Sequence, residues 1–289
     1  MLCFHSPQKH KPTKKIGNLQ KIRAILTKKT IKIKADIGSK FVGLDNFKFL
    51  YQNLLSMTKT TLLYNLFFIV LRYMFELSLA IIFSELACKI YKKICQSFLF
   101  LPYFISYVII GAFVYNIFNY EYGSTNSVLV MFGMERYNVY ADVGVWKYII
   151  TAFYLWKNIG VGTVIYLAAI TNIDQSLYEA ARIDGANIFR EIRYITIPHI
   201  VPTMITLGLL KLSGILKGQF DLFYQIVGDN GMLYSATDIL DTYVFRSVAK
   251  TFNVGFGTAA GLYQSLFGFL LVVIVNTVIR KVDSDYALF

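Results

Sequence analysis

YEAARIDGANIFREIRYITIPHIVP, Tyr178 to Pro202, sets a charged, alanine-rich segment between two runs of apolar residues. It reads as two short helices hinged at a glycine. Ser176-Leu177-Tyr178-Glu179 has the form of a capping box, in which the serine hydroxyl satisfies a free N–H and the glutamate reaches back; Asp174 is the alternative cap. About two helical turns later comes Gly185, and glycine tolerates the left-handed conformation that ends a helix. In ANIFREIRYIT, Ala186 to Thr196, Phe189, Ile192 and Ile195 fall three apart on one stripe, with Arg190, Glu191 and Arg193 off it. Pro198 and Pro202 mark the turn into the next apolar run, where a missing N–H costs least. An ordinary amphipathic connector lying on a bilayer would share much of this pattern, so the runs on either side matter.

Those runs are membrane spans. Of the 289 residues 56% are hydrophobic and 16% charged, against roughly 25% charged in a soluble domain. A span needs about 20 mostly apolar residues to cross ~30 Å of hydrocarbon. Five segments qualify, 61–84, 98–118, 147–169, 200–219 and 258–279, giving an all-α, polytopic helical bundle. The connections at 85–97 and 170–199 then share one side, with Lys89, Lys92, Lys93, Arg182, Arg190 and Arg193, joined by Arg280 and Lys281 after the last span. The excess of positive charge makes that side cytoplasmic and leaves 119–146 and 220–257 outside.

The net charge of +12 is uneven. Residues 1–40 carry eleven Lys or Arg against Asp36 alone, and the remainder is near neutral. Such a tail on a membrane body points to anionic lipid headgroups and away from nucleic acid. IGNLQKIRAIL, Ile16 to Leu26, fits a surface-lying amphipathic segment or a solvated tail. Five spans with a cytoplasmic C-terminus would put this lysine-rich tail outside, a conflict that a sixth, missing span would remove. Cys3, Cys88 and Cys95 form no disulfide framework.

The elbow also matches a family signature. Glu179-Ala180-Ala181, three residues, Gly185, nine residues, Ile195, one residue, then Ile197-Pro198 resembles the EAA loop of permeases in binding-protein-dependent ABC importers, with isoleucine for leucine at 197. WKNIGVGTVIYLAAITNIDQSLYEAA (156–181) and Asp184-Gly185-Ala186 are similar to the maltose-type carbohydrate class. LPYFISYVIIGAFVYNIFN (101–119), FDLFYQI (220–226) and DILDTYVFRS (238–247) resemble its complex-polysaccharide subgroup. The likeness runs from about residue 35 to the end. FVGLDNFKFLY (41–51) resembles the outer segment that follows a first span in the family, so the resemblance implies that this span is absent here, with residues 1–40 in its place and 41–289 as the transmembrane domain. It also implies that Tyr178, Glu179, Ala180, Ala181, Asp184, Gly185, Ala186, Ile195 and Pro198 couple the chain to a cytoplasmic ATPase.

Charged residues at bilayer depth face partners or water, because each costs at least ~2.5–3.5 kcal/mol on insertion scales. Arg72 and Glu76 sit i, i+4 on one helix face, spaced to pair. Lys211 lies near the middle of its span, its stem too short to reach either interface. Either the first two form an internal ion pair that joins helices, or all three line a translocation cavity with a sum of +1 suited to an anionic sugar. Tyr103, Ser106, Tyr107, Asn116, Asn158, Ser213, Gln219, Phe223 and Tyr224 supply the aromatic, amide and hydroxyl groups that sugar sites use, although each type also serves packing. Trp146 reads as an interfacial anchor at the outer end of its span. The loop 220–257 is long for a connector and carries Asp221, Asp229, Asp238 and Asp241 against Arg246 and Lys250; in the family such a loop meets an extracellular binding protein.

Other classes fit poorly. His5, His10 and His199 are not at metal spacing, and no glycine-rich phosphate loop is present, so the chain is expected to be neither a hydrolase nor the ATPase. The expectation is the permease subunit of an ATP-driven importer of oligosaccharides or polysaccharide fragments in a bacterial plasma membrane, with a cytoplasmic C-terminus. The resemblance implies a second permease, two ATPase subunits that hold ATP and Mg, an extracellular solute-binding protein, and no cofactor in this chain. The alternatives are a permease for another polar solute, a truncated permease without function, or a channel that works without an ATPase.

Overall fold

The computed structural model describes residues 43–86, 88–252 and 254–282; the basic tail, with IGNLQKIRAIL, lies outside them. Every regular element among the described residues is helical. Helix α1, Asp45–Ser84, contains the first span, Leu55–Ser84, whose 30 residues make a rod of about 45 Å.

The second span is broken. Helix α2 (Lys89–Phe100) runs into a 3₁₀ turn (Leu101–Phe104), and α3 (Tyr107–Phe118) leaves at 94° to it. The continuous span at 98–118 is therefore corrected to a bent pair. Pro102 sits in the 3₁₀ turn, where its missing N–H ends the α-helical ladder. Ile105 is extended, and Ser106 starts α3 afresh by accepting the Ile109 N–H at 3.4 Å. An apolar run hides such a break, since hydropathy registers composition and not hydrogen bonding.

After the short α4 (Ser124–Met131) comes α5, Val143–Thr171, whose buried face runs from Trp146 to Ile170. Helix α6 is Gln175–Ile183. The fourth span begins earlier than 200 and ends before 219. It is one run, Ile188–Ser213, made of α7 (Ile188–Glu191), a π turn (Ile192–Thr196) and α8 (Ile197–Ser213). In the π turn the Ile197 N–H reaches back to the Ile192 carbonyl, a wide register just ahead of Pro198, which has no N–H to give.

The segment read as an outer loop is folded into α9 (Phe220–Val227), α10 (Tyr234–Thr237) and α11 (Leu240–Thr251), before the last span, α12 (Val254–Val282). Its first part is not a loop at all. Leu222, Phe223 and Ile226 of α9 pack with Phe68, Ile110, Ile150 and Tyr154 of the spans, and the Phe68 and Tyr154 rings stack at 4.0 Å. Gly111 of α3 permits this closeness, because a Cβ there would lie 2.3 Å from the Gln225 carbonyl oxygen. Trp146 belongs to the same core: it is fully buried and donates to the Val139 carbonyl at 2.8 Å, so it is no lipid-facing anchor. A second core at the other end of α5 gathers Phe83, Tyr166, Ile170, Ile173, Tyr178 and Ile200 beneath the elbow.

Candidate functional site

The elbow is built by local rules. Asp174, not Ser176, caps α6: its Oδ1 accepts the Ser176 N–H at 3.0 Å, and that bond holds the carboxyl below the usual carboxylate range. At the far end Gly185 takes φ +79°, with the Gly185 N–H on the Arg182 carbonyl at 3.1 Å and the Ala186 N–H on the Ala181 carbonyl at 2.9 Å. This paired closure needs a left-handed residue, which is why glycine stands there. Asn187 then caps α7 by accepting the Arg190 N–H at 3.0 Å.

Two side-chain links tie α6 to the run that enters the fourth span. The Tyr178 hydroxyl and the Thr196 hydroxyl lie 2.9 Å apart in the buried core. Arg182 donates from Nε to Glu191 Oε1 at 2.9 Å and from Nη2 to Oε2 at 3.2 Å. Glu191 is buried although its place in the sequence lies off the apolar stripe, whereas Phe189, on that stripe, is exposed. The outer surface of the elbow thus presents Leu177, Glu179, Ala180, Ile183, Asp184 and Phe189. Ile195 is half-buried against the second core, and His199 contacts the Ile195 carbonyl at 2.7 Å through Nδ1.

The three charged span residues meet. Arg72 Nε donates to Glu76 Oε1 at 2.7 Å, and Lys211 Nζ donates to Glu76 Oε2 at 2.9 Å from 135 residues away. Glu76 is fully buried, while the Arg72 and Lys211 side chains are 15% and 16% exposed. Arg72 also donates to the Asn158 carbonyl at 3.3 Å, and Lys211 lies 4.6 Å from the Tyr73 ring centre. Gly162 makes the room: a Cβ there would lie 2.0 Å from the Glu76 carboxyl carbon. The cluster sums to +1 and joins α1, α5 and α8.

Tyr103, Ser106 and Tyr107 fall at the break between α2 and α3. The other candidates make local bonds: Asn116 to the Ala112 carbonyl, Asn158 to the Tyr154 carbonyl, Ser213 to the Leu210 carbonyl. Gln219 begins α9, and Tyr224 stacks on Phe220 at 5.2 Å. Of these five positions Asn158 alone contributes to the charged cluster, through its backbone carbonyl. Sequence reasoning passed over Lys157, which is buried and donates to carbonyls at the break. Like Lys211 it is a cation within a span, where a charge is costly unless it faces a partner or water.

The structure is thus a bundle of apolar spans with an exposed helix–glycine–helix elbow between the third and fourth. Residues 57–284 match the family described as binding-protein-dependent transport system inner membrane component, and the chain belongs to that family. It is 30% identical over 249 residues to the protein LplB of Bacillus subtilis (strain 168), covering 86% of this chain and 78% of that one. It is likewise 30% identical over 251 residues to the polygalacturonan/rhamnogalacturonan transport system permease protein YteP of the same strain, again over 86% and 78%. Among solved structures it resembles a chain of a bacterial ABC transporter that imports the acidic polysaccharide alginate, with a TM-score of 0.78, 26% identity, and coverage of 93% of this chain and 98% of that one. The chain is a multi-pass membrane permease subunit.

Proposed function

We propose that this chain forms one half of the membrane channel of an ATP-driven importer of oligosaccharides, with carboxylate-bearing sugars as the preferred cargo. The observation that carries the reading is the elbow: an exposed Glu179–Asp184 face, closed at Gly185 and fixed to the fourth span by Arg182–Glu191 and Tyr178–Thr196. A cytoplasmic ATPase that moves α6 would move α8 with it, and a two-state pore between two permeases would switch its open side. ATP and Mg belong to two ATPase subunits, and the extracellular solute-binding protein meets the helices of 220–257. The elbow and the C-terminus are cytoplasmic, on the side rich in Lys and Arg.

The acidic cargo has two supports. The relatives named above include proteins whose names state transport of polygalacturonan and alginate. The buried Arg72–Glu76–Lys211 cluster keeps one uncompensated positive charge within the spans. The test is co-purification with the candidate ATPase followed by ATP-driven uptake in proteoliposomes, wild type against Gly185→Val. Wild type is expected to retain the ATPase and take up a uronate-containing oligosaccharide, and the variant to lose the ATPase or hydrolyse ATP without uptake. Uptake by wild type with no ATPase present would leave a channel as the better description.

A further inference from the structure

The geometry points to Lys157 as a positioning residue: a tethered cation that holds the second span in its broken form. Its ammonium sits where α5 passes the break. It donates to the carbonyls of Tyr103 at 2.9 Å, Pro102 at 3.4 Å and Ile105. The Tyr107 and Tyr103 ring centres lie 4.8 and 5.8 Å from the same nitrogen. The residue is only 6% exposed, and none of the ion pairs found among the described residues includes it.

A buried ammonium without a carboxylate is costly unless oriented dipoles replace its water. Here the carbonyl end of the α2–3₁₀ segment does so, with two aromatic faces. The same arrangement explains the bend from the other side. A helix that stops inside a membrane leaves carbonyls unpaired, which is tolerated only where something inside the protein satisfies them. Where transporters break a helix at such depth, carbonyls at a half-helix C-terminus commonly coordinate a monovalent metal ion. This chain supplies the cation on a side chain. Gly160, one turn along α5, lets the two segments touch: a Cβ there would lie 2.2 Å from the Leu99 carbonyl oxygen. The consequence is that Tyr103, Ser106 and Tyr107 are held at a corner, and that the corner needs no dissolved metal ion to form.

The experiment uses the assembled transporter with Lys157→Ala, which leaves space for a small amine, and Lys157→Met, which fills it. Nitroxides go at Cys95 on α2, exposed and free, and at Phe113→Cys on α3, with Cys3 and Cys88 replaced by serine. The label distance across the bend is measured with and without methylammonium, beside uptake. In Lys157→Ala the distance is expected to lengthen and uptake to fall about tenfold, in line with loss of charged hydrogen bonds; methylammonium restores both, and does not restore Lys157→Met. A wild-type distance in Lys157→Ala, or a changed distance that the amine leaves unaltered, overturns the proposal. If Lys157→Ala assembles only when methylammonium is present during expression, that dependence supports it, and failure to assemble under either condition overturns it. Only the uptake readout rests on the proposed transport function, and the label distance tests the corner even if no sugar is carried.

Discussion

Arg182 and Glu191 close a two-bond bridge across the Gly185 turn, at 2.9 and 3.2 Å, with the carboxylate buried and the guanidinium at the surface. The bridge makes the elbow a single body instead of two helices on a flexible hinge. The Glu191 carboxylate beside it raises the Arg182 guanidinium above its ordinary value.

Replacing Glu191 with Gln keeps the shape and removes the charge. The chain should still span the membrane and bind its ATPase, but motion of α6 should reach α8 less faithfully. Uptake per ATP hydrolysed is expected to fall about tenfold, the upper part of the range for residues along a coupling route. Measuring ATPase rate and uptake on the same proteoliposomes checks this, and an unchanged ratio would show that the bridge is dispensable.

Gly185 has open space around its missing Cβ, so a substitution there meets strain in the backbone and no clash. At φ +79° an alanine costs ~1 kcal/mol, asparagine less and a β-branched residue more. ATPase co-purification should therefore rank glycine, asparagine, alanine, valine. A valine variant that performs as well as alanine would locate the cost elsewhere.

The elbow was legible because its signals are local: a cap, a glycine, a proline, each acting on neighbours. Arg72–Glu76 was legible for the same reason, being one helical turn apart. Lys211 was marked as anomalous, but its partner could not be named, since the chain separation of 135 residues leaves no pattern in sequence. The break at Pro102–Ser106 was hidden because both residues sit in an apolar run that satisfies any hydropathy window. Periodicity placed Glu191 off the apolar stripe, and it is buried all the same because Arg182 from another helix pairs with it. Trp146 and α9 failed similarly: apolar residues at the edge of a span look alike whether they meet lipid or a folded cap.

Asp241 on α11 gives a pH dependence. Burial pushes its carboxyl above the ordinary value, against the pull of the Gln264 side chain, the Gly218 N–H and Lys217. The folded state then holds the proton more tightly than the unfolded chain. Its contribution to stability is present below the ordinary carboxylate pKa of about 4 and is lost as pH rises through the raised folded value. Asp241→Asn, which can still accept from Gln264, removes that loss. The melting temperature of the variant relative to wild type should climb as pH rises across this window; a difference that stays flat would mean the carboxyl titrates normally.

The buried cluster predicts an asymmetry between its members. Removing Lys211 cuts the link to α8 but leaves Glu76 with Arg72, a neutral pair still hydrogen-bonded, so Lys211→Met should melt below wild type and above Glu76→Gln while losing preference for uronate over neutral oligosaccharide. Removing the charge of Glu76 leaves two cations facing each other in a site from which water is largely shut out. Breaking a buried ion pair from one side costs about 3–5 kcal/mol, so Glu76→Gln should lower the melting temperature sharply or prevent assembly. Gly162→Ala should resemble Glu76→Gln although it removes no charge, because its methyl would lie 2.0 Å from the Glu76 carboxyl carbon and must push it off both partners. Melting of the three variants in one detergent, beside competition between uronate and neutral sugar, decides the matter. Equal melting of Lys211→Met and Glu76→Gln would show that two cations left without Glu76 cost no more than the lost Lys211–Glu76 link between α8 and α1.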